Sequence, residues 1–382
     1  MTKVKLSEVI RRCQTRADRY DTNLLYYVAG EHFESGEIDL AGRGEIAGST
    51  IGPMFYYGFK PGDFLLVSRN PHLRKASRVD FAGVCSEKTF VLETADESVL
   101  SNEYLPWVLQ NDRFWNYAQE NRHGSTNFFI NWSTLADYVF ELPSIEDQKQ
   151  IATILWAAQS VRRNYRKLLK ACDDVVKSQF VEMFTLQSDG EVVALRDCCA
   201  SICGGKTPSM KHPEYYGGNV PFIKSGDVKD DSVSSGSLWL SDTALEEAGV
   251  KLIPQNSVLV VTRSALLQRK VSTAICNKTV AINQDIKAFI PNEEFGANYL
   301  LWAIRSHEQR LLAGVRSVST SALDFDDLCS LPIKVASKER QQKFADFVAQ
   351  VDKSKFAVQQ ALDELNATTK KILNQELGLG DV

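Results

Sequence analysis

Residues 142–151 read LPSIEDQKQI, and they open the stretch of sequence that decides the fold of this chain. After them, apolar side chains return at alternating spacings of three and four residues, at Ile151, Ile154, Ala158, Val161, Tyr165, Leu168, Cys172 and Val175. This heptad pattern is typical of a coiled-coil helix. If residues 146–184 are helical throughout, the helix is about 58 Å long. A helix of this length exceeds what a globular domain needs, so we expect it to pack against a partner of similar length.

A second long segment follows residues 339–344, which read ERQQKF. Its stripe runs through Phe344, Phe347, Val351, Ser354, Val358, Ala361, Leu365, Thr368 and Ile372, with two weak polar positions at Ser354 and Thr368. Two segments with matching stripes are each other's nearest partner. We therefore predict that residues 146–184 and 338–376 pack as an antiparallel coiled coil, with Val161 and Leu168 in the seam.

The two long segments belong to an internal repeat with a period of about 190 residues. Five landmarks recur in the same order in both halves of the chain. They are Val4-Lys5-Leu6 with Val193-Ala194-Leu195, Leu65-Leu66-Val67-Ser68-Arg69 with Leu259-Val260-Val261-Thr262-Arg263, Tyr104-Leu105-Pro106-Trp107 with Tyr299-Leu300-Leu301-Trp302, Ser125-Thr126 with Ser319-Thr320, and Leu142-Pro143 with Leu331-Pro332. Five matches in register indicate duplication.

Each half mixes short strands and helices ahead of its long segment. Runs of β-branched and aromatic residues predict strands at 62–69, 81–92, 257–263, 271–276 and 279–290, while helical spacing predicts helices at 103–119 and 297–313. The predicted fold class is therefore α+β, with two repeated domains that are each followed by a long helix.

Composition limits the function classes. The chain has 382 residues, a net charge of −4 and 24% charged residues, which argues against a purely electrostatic nucleic-acid binder. Charge is nevertheless segregated, because residues 60–80 carry a net +3. The N-terminal residues are charged and contain no apolar leader region, and no apolar run is long enough to span a membrane, so we expect a cytoplasmic protein.

Motifs for catalysis or metal binding are missing from the sequence. The eight cysteines form no CxxC pair, which predicts reduced, core-filling side chains and no metal site. A phosphate-binding GxxxxGK[ST] loop is absent, as is the Asn/Asp-Pro-Pro-aromatic motif of adenine methyltransferases. Asp285-Ile286-Lys287 has a nuclease-like spacing but lacks an upstream Pro-Asp partner.

Polar loops, by contrast, offer the side chains that read DNA. Arginine reads guanine, Asn or Gln reads adenine, and hydroxyl groups bind phosphates. We predict DNA contacts by loop residues of both halves, which are Arg43, Ser68, Arg69, Asn70, His72, Arg74, Lys75, Arg78, His123, Ser125, Thr126, Asn127, Lys206, Thr207, Ser209, Lys224, Ser225, Arg263, Ser264, Gln268, Arg269, Lys270, Arg316 and Ser317. The basic stretch from Arg162 to Lys170 fits either a solvated helix flank or a surface that neutralises phosphates.

This layout resembles the specificity subunit of type I restriction-modification systems over essentially the whole chain. The similar segments are residues 142–151 and 339–344, which look like the family's two helix-start signatures, and residues 83–89, 205–209 and 281–286, which look like parts of its recognition domains. The chain departs from that pattern at Ile333–Ser337, where residues are added after the second Leu-Pro. On this resemblance we assign residues 1–141 and 187–332 as target recognition domains, 142–186 as the central long helix and 333–382 as the C-terminal long helix.

The resemblance implies a subunit with no catalytic activity and no bound cofactor of its own. It implies double-stranded DNA as a partner, together with two modification subunits that bind S-adenosylmethionine and methylate adenine N6. It also implies restriction subunits that join the complex and cleave DNA with ATP and Mg²⁺. Antiparallel helices would relate the two domains by a pseudo-twofold axis, as a bipartite DNA site requires. Because the halves differ in sequence, the expected target is asymmetric.

Two alternatives stay open at this point. One is a DNA-modifying or DNA-cleaving enzyme that carries its own active site, against which the missing motifs argue. The other is a structural coiled-coil protein that binds no nucleic acid, which leaves the abundance of Arg, Ser, Thr and Asn in both sets of loops unexplained.

Overall fold

A computed structural model of the chain describes residues 2–18, 20, 23–186, 190–317 and 321–376. The chain divides into two compact units, residues 1–165 with 360–382 and residues 166–359. By these bounds, each long helix begins in one unit and ends in the other. We call them unit 1 and unit 2, and we describe each by itself.

Unit 1 contains the first module, which begins with strand β1 and ends with strand β10. The strands are β1 (Thr2–Lys5), β2 (Ile10–Cys13), β3 (Tyr26–Val28), β4 (Gly44–Glu45), β5 (Phe55–Phe59), β6 (Phe64–Val67), β7 (Ala76–Arg78), β8 (Gly83–Ser86), β9 (Thr89–Thr94) and β10 (Val139–Leu142). The helices are α1 (Leu6–Val9), α2 (Leu105–Val108), α3 (Asp112–Glu120), α4 (Trp132–Ala136) and the long α5 (Ile145–Val181).

Unit 2 contains the second module. Its strands are β11 (Val192–Ala194), β12 (Cys199–Gly204), β13 (Tyr216–Ile223), β14 (Ser232–Val233), β15 (Leu238–Leu240), β16 (Leu252–Ile253), β17 (Val258–Val261), β18 (Thr273–Cys276), β19 (Val280–Ile282), β20 (Ile286–Pro291), β21 (Arg316–Ser317), β22 (Ser321–Ala322) and β23 (Pro332–Lys334). Its helices are α6 (Asp242–Glu247), α7 (Ala297–Ser306), α8 (Glu308–Ala313), α9 (Phe325–Cys329) and the long α10 (Lys338–Glu376).

The sheets show that the sequence repeat is a structural repeat. The first module has a sheet of order β2-β9-β6-β7, and the second has the corresponding order β12-β20-β17-β18 with β14 added. A second sheet has the order β4-β3-β8-β5 in the first module and β15-β13-β19-β16 in the second. In each second sheet one pair is parallel, β3 with β8 and β13 with β19. The predicted α+β class with two long helices is confirmed.

The central strand of each module is buried on both faces. In β6, Phe64 and Leu66 belong to a core shared with helices, whereas Leu65 and Val67 belong to a core shared with the second sheet. Successive side chains of a strand point to opposite faces, so β6 joins a helix layer to a two-sheet sandwich. The alternating residues of β17 divide between two cores in the same way.

Four predicted elements are interrupted in the structure. The predicted strands at 81–92 and 279–290 are each two strands, β8 with β9 and β19 with β20, because short polar turns at 87–88 and 283–285 separate the apolar runs. The predicted helix at 103–119 is broken before α3, where the Asn111 side chain accepts a hydrogen bond from Phe114 N at 2.8 Å and caps the new helix. The predicted helix at 297–313 is broken at His307.

A buried glutamine anchors the start of α5 to the first module. The Gln148 carbonyl oxygen accepts a hydrogen bond from Ser101 N at 2.9 Å, and its amide nitrogen donates to Val99 O at 2.9 Å and to Pro143 O at 3.0 Å. A buried amide that is satisfied by three backbone groups fixes where the helix begins.

Gln341 makes the corresponding contacts at the start of α10. It accepts from Gly296 N at 2.8 Å and donates to Glu294 O at 2.9 Å and to Ala336 O at 2.8 Å. The two helix starts are therefore built alike, although their sequences share few residues beyond the glutamine.

The structure corrects one landmark of the repeat. Leu6 N donates to Tyr138 O at 2.8 Å, and Leu195 N donates to Leu331 O at 2.9 Å. Leu331 is therefore the counterpart of Tyr138 and not of the first Leu-Pro. The residues at 333–337 are not an addition, because they form most of β23 and the turn into α10, as β10 and its turn do before α5. Ser319 and Thr320, part of another landmark, lie outside the described residues.

The long helices run antiparallel where they meet in unit 2. Lys355 Nζ lies 2.6 Å from Asp173 Oδ1, and the rings of Phe344 and Phe180 lie 5.4 Å apart. Residue numbers thus fall along one helix as they rise along the other. The predicted antiparallel packing is confirmed for this part of the pair.

The predicted seam on α5 is only half right. Ile154, Val161, Leu168 and Val175, which recur every seven residues, are exposed, with Leu168 at 46%. The buried positions are their neighbours, such as Leu155 in unit 1 and Val176 in unit 2. One residue turns the helix by about 100°, so the helix is rotated by one position from the face that the heptad pattern predicted.

This rotation predicts a contrast between two leucines of α5. Leu168→Asp is expected to change the free energy of unfolding by less than about 1 kcal/mol because the side chain is already in water. Leu155→Asp is expected to cost several kcal/mol because it places a charge in the core of unit 1. Urea unfolding of both variants measures the difference. A large loss of stability in Leu168→Asp would mean that Leu168 is buried, as the heptad pattern predicted.

Candidate nucleic-acid interface

The site in the first module forms where β6 ends. Ser68 is buried, and its hydroxyl donates to Lys88 O at 2.8 Å. The next residue, Arg69, forms a bridge with Phe129, and Asn70 N donates to Phe128 O at 2.8 Å. The loops at 68–75 and 122–129 are thereby held side by side, with the Arg69 side chain exposed.

The second module repeats this arrangement at the end of β17. Thr262 N and its hydroxyl both donate to Asp285 O, at 2.8 and 3.2 Å. Arg263 forms a bridge with Ala322, and Ser264 N donates to Ser321 O at 3.1 Å. Arg263 thus has the same structural place as Arg69, as the sequence repeat predicted.

A second group of predicted residues meets at the ends of β13 and β19. Because these strands are parallel, Lys224 and Asn283 follow them at the same edge, and Asn283 N donates to Ile223 O at 3.0 Å. Lys206 N donates to Ile282 O at 3.0 Å, which brings in the loop of Lys206, Thr207 and Ser209. A Cβ on the preceding Gly205 would lie 2.2 Å from two carbonyl oxygens, so that position requires glycine.

Asp285 is the centre of this second cluster. Its Oδ2 accepts hydrogen bonds from Asn283 Nδ2 at 3.0 Å and Gln284 Nε2 at 3.4 Å, and its Oδ1 lies 3.7 Å from Arg263 Nη1. The Gln284 oxygen in turn accepts from the Thr207 hydroxyl. Both oxygens of the Asp285 carboxylate therefore have partners within the cluster.

Four predicted cations of the first module are engaged within the module. Arg43 lies over the ring of Tyr26, 3.7 Å from its centroid. Arg74 pairs with Asp112 at 2.5 Å, and Arg78 makes two contacts with Glu103 at 2.6 and 2.7 Å. Lys75 Nζ donates to Gly30 O at 2.6 Å. Each of the four side chains therefore stabilises a contact within the first module.

The other predicted residues lie on loops or short 3-10 turns, apart from Arg316 and Ser317, which form β21. His72, Ser264 and Ser225 follow strand ends, with His72 exposed and both serines half-buried. The remaining exposed residues are His123, Ser125, Thr126, Asn127, Ser209, Gln268, Arg269 and Lys270. The side chains of Arg316 and Ser317 lie outside the described part of the chain.

Lys88 and Gln284 lie in these clusters but were not among the residues predicted to contact DNA. Both follow the end of a strand, which is the rule that selected Arg69 and Arg263. In the first module, a hydrogen bond from Lys88 together with the charges of Lys88 and Arg69 lowers the pKa of Glu87 below its ordinary value, so the cluster contains an ionised carboxylate.

The basic stretch of α5 is partly paired within unit 1. Arg162 Nη1 lies 3.8 Å from Glu37 Oε2, and Arg163 Nε lies 3.5 Å from Asp39 Oδ2. Both acidic residues belong to the first module, so these arginines attach the helix to it.

The described residues show neither a group of metal ligands nor a membrane-spanning helix. In the described ranges, no three His, Cys, Asp or Glu side chains are grouped as metal ligands. None of the described helices combines the length and the apolar content of a membrane span. All eight cysteines are free thiols, and burial raises the pKa of the Cys85 thiol to about 12.

A known protein family matches the second half of the chain. Residues 187–367 match the family described as "Type I restriction modification DNA specificity domain". The chain is similar to type I restriction-modification specificity subunits. The resemblance read from the sequence is thereby confirmed.

Curated relatives include the EcoR124I/EcoR124II specificity subunit of Escherichia coli, 30% identical over 152 residues, which are 39% of this chain and 38% of that protein. The MjaIX specificity subunit of Methanocaldococcus jannaschii is 26% identical over 172 residues, 44% of this chain and 39% of that one. In these matches the chain thus spans less than half the length of either relative.

Solved structures of low identity share the fold. A type I restriction-modification S subunit from M. genitalium has a TM-score of 0.54 at 13% identity, covering 100% of this chain and 96% of that chain. A chain from a study of type I restriction-modification assembly has a TM-score of 0.52 at 20% identity, covering 98% and 96%. Both likenesses concern the fold and extend over nearly the whole chain.

Proposed function

We propose that this chain is the sequence-specific DNA-binding subunit of a type I modification complex, and that it directs the complex to an asymmetric bipartite target. The observation that carries the proposal is the repeated loop site. Arg69 and Arg263 each follow a buried central strand, and each is held by a bridge to a second segment, at Phe129 and Ala322. An arginine presented from a rigid strand end is suited to bidentate readout of guanine.

The partners follow from the same proposal. Double-stranded DNA binds to the two modules, and two modification subunits bind S-adenosylmethionine and methylate adenine, while this chain binds no cofactor itself. Restriction subunits that use ATP and Mg²⁺ complete the complex when DNA is cleaved. The similarity to type I specificity subunits supports this assignment, and the complex would work in the cytoplasm.

Incubation with S-adenosylmethionine and mixed-sequence DNA tests the assignment. The chain alone is expected to transfer no methyl groups, and addition of modification subunits is expected to give methylation at one bipartite sequence. Methyl transfer by the chain alone would favour the alternative of an enzyme with its own active site. Methylation by the complex without sequence preference would contradict the proposal.

A salt titration separates phosphate contacts from base contacts. Lys270 is exposed beside the Arg263 cluster, and Lys270→Ala is expected to weaken binding equally on all sequences and to make the salt slope shallower by about one unit. Lys278→Ala is the matched control, because Lys278 lies beyond the opposite end of β18. The same loss of affinity in both variants would mean that Lys270 has no special place at the DNA.

A further inference from the structure

We propose that Asp285 is a positioning residue, which holds Arg263 and Gln284 as an oriented pair of base-reading side chains in the second module. The inference rests on the proposed function and names the side chains that read one half of the target. Gln284 was not among the residues predicted from the sequence, and Asp285 was considered there only as part of a nuclease-like spacing.

The Asp285 carboxylate fixes the orientation of the Gln284 amide. An ionised carboxylate can only accept hydrogen bonds, so the group that faces it must be the Gln284 nitrogen, at 3.4 Å. The Gln284 oxygen then faces the Thr207 hydroxyl, from which it accepts. One N–H and one oxygen lone pair of the exposed amide remain unused. That pair of groups matches the N7 acceptor and N6 donor of adenine.

Arg263 is directed by the same aspartate. Two backbone donors, Thr262 N and Arg263 N, bind Asp285 O at 2.8 and 3.3 Å, while Asp285 Oδ1 lies 3.7 Å from the guanidinium. The Arg263 side chain is 59% exposed, so this ion pair adds little to stability. Its effect is to restrict the guanidinium to one side of the loop, next to the oriented Gln284 amide.

Asn283 gives independent evidence that the arrangement is constrained. It is 6% exposed, and its Nδ2 donates to Asp285 at 3.0 Å. Its Oδ1 is buried without a hydrogen-bond partner in the described structure. An unpaired buried acceptor destabilises a fold, and such exceptions call for an explanation. Here the Asn283 amide is oriented so that its nitrogen donates to the Asp285 carboxylate, and this orientation leaves its oxygen without a partner.

Asp285 itself is poorly suited to read a base. Both of its oxygens already have partners, and its side chain is 20% exposed. Its negative charge would also repel DNA phosphates. Its presence at this place is therefore explained by what it does to Arg263 and Gln284, and the expected readout is a guanine and an adenine close together in one half-site.

The first module does not contain this device. Lys88 occupies the position of Asp285, because Ser68 binds its carbonyl oxygen as Thr262 binds that of Asp285. The Lys88 ammonium pairs with Glu87 at 2.5 Å. The two modules therefore present different chemistry on the same backbone frame, and changes at Asp285 should leave the other half-site unaffected.

The test is selection from a pool of randomised DNA duplexes by the full-length chain in complex with modification subunits. Asp285→Asn and Gln284→Ala are compared with Asp242→Asn and Gln255→Ala, which remove the same groups at exposed positions of the same unit. Gln284 is exposed, so Gln284→Ala tests the proposal even if Asp285→Asn folds poorly. Affinity for a duplex of unrelated sequence is measured alongside.

We expect Asp285→Asn and Gln284→Ala to reduce discrimination by roughly tenfold at neighbouring positions of one half-site, and to leave the other half-site unchanged. Asp285→Asn should also bind the unrelated duplex at least as tightly as the wild type, because a negative charge is removed, whereas misfolding would weaken binding to every duplex. If the wild-type complex selects a sequence and both variants select it unchanged, the positioning role is wrong. If the wild-type complex selects no sequence, the proposed function fails and the inference fails with it.

Discussion

Exchange of residues 196–330 for the corresponding segment of another specificity subunit is expected to change one half of the recognised sequence and to leave the other half as it was. The second module carries its own sheets, one core of its own and its polar loop cluster, while its other core is shared with Phe180 and Phe344 of the long helices. The exchange keeps the β11–β23 ribbon intact, since both strands stay with the recipient chain. Gln341 contacts backbone atoms of the exchanged segment, so a donor with the same loop backbone should dock.

Sequencing of methylated sites in the exchanged complex measures the outcome. The single substitution Arg263→Ala tests the same assignment. We expect it to lower discrimination between DNA sequences by about 1–3 kcal/mol, and only in the same half-site. Arg69→Ala is its matched counterpart and should affect only the other half-site. If both half-sites changed together after the exchange, or neither did, the assignment of one half-site to each module would be wrong.

Gln148 and Gln341 are the buried glutamines at the starts of the two long helices. Among single substitutions of polar residues, replacing either of them is expected to cause the largest loss of stability. Gln148→Leu keeps the volume of the side chain but leaves Ser101 N, Val99 O and Pro143 O without their partner. At roughly 1–3 kcal/mol for each unsatisfied buried group, the expected loss is about 3 kcal/mol or more. For a unit of this size that corresponds to a fall in Tm of roughly 6–12 °C.

The chain provides the control for this prediction. Gln150 lies two residues along the same helix and is exposed, so Gln150→Leu should leave Tm nearly unchanged. In unit 2, Gln341→Leu and the exposed neighbour Gln342→Leu form the same comparison. Thermal unfolding of the four variants gives the answer, and equal Tm values within each pair would show that the buried amides do not anchor the helices.

Several features of the fold were predicted from the sequence because they depend on local pattern. The run from Phe64 to Val67 is apolar throughout, as a strand buried on both faces must be, and it forms β6. The two long helices follow from heptad spacing without helix breakers. The equivalence of Arg69 and Arg263 follows from the residues that precede them, and it is preserved in the structure by matching bridges.

The site was predicted only in outline for a physical reason. Whether a cation is available or engaged depends on residues distant in sequence: Lys75 donates to Gly30, and Arg74 pairs with Asp112. No local spacing contains that information. The assignment of individual loop residues to DNA, and of residues 1–141 and 187–332 as recognition domains, therefore stays a prediction.

By itself, the sequence determined that the chain is a duplicated α+β module with two long helices, since repeats and periodic burial are written along the chain. Only the tertiary structure decided which face of α5 is buried, because Ile154 and Leu155 are both apolar and differ only in what packs against them. It also placed Leu331 opposite Leu195 instead of at the second Leu-Pro boundary. Finally, it gathered Asn283, Gln284 and Arg263 around one carboxylate, since hydrogen bonds between loops form only after the sheets have brought those loops together.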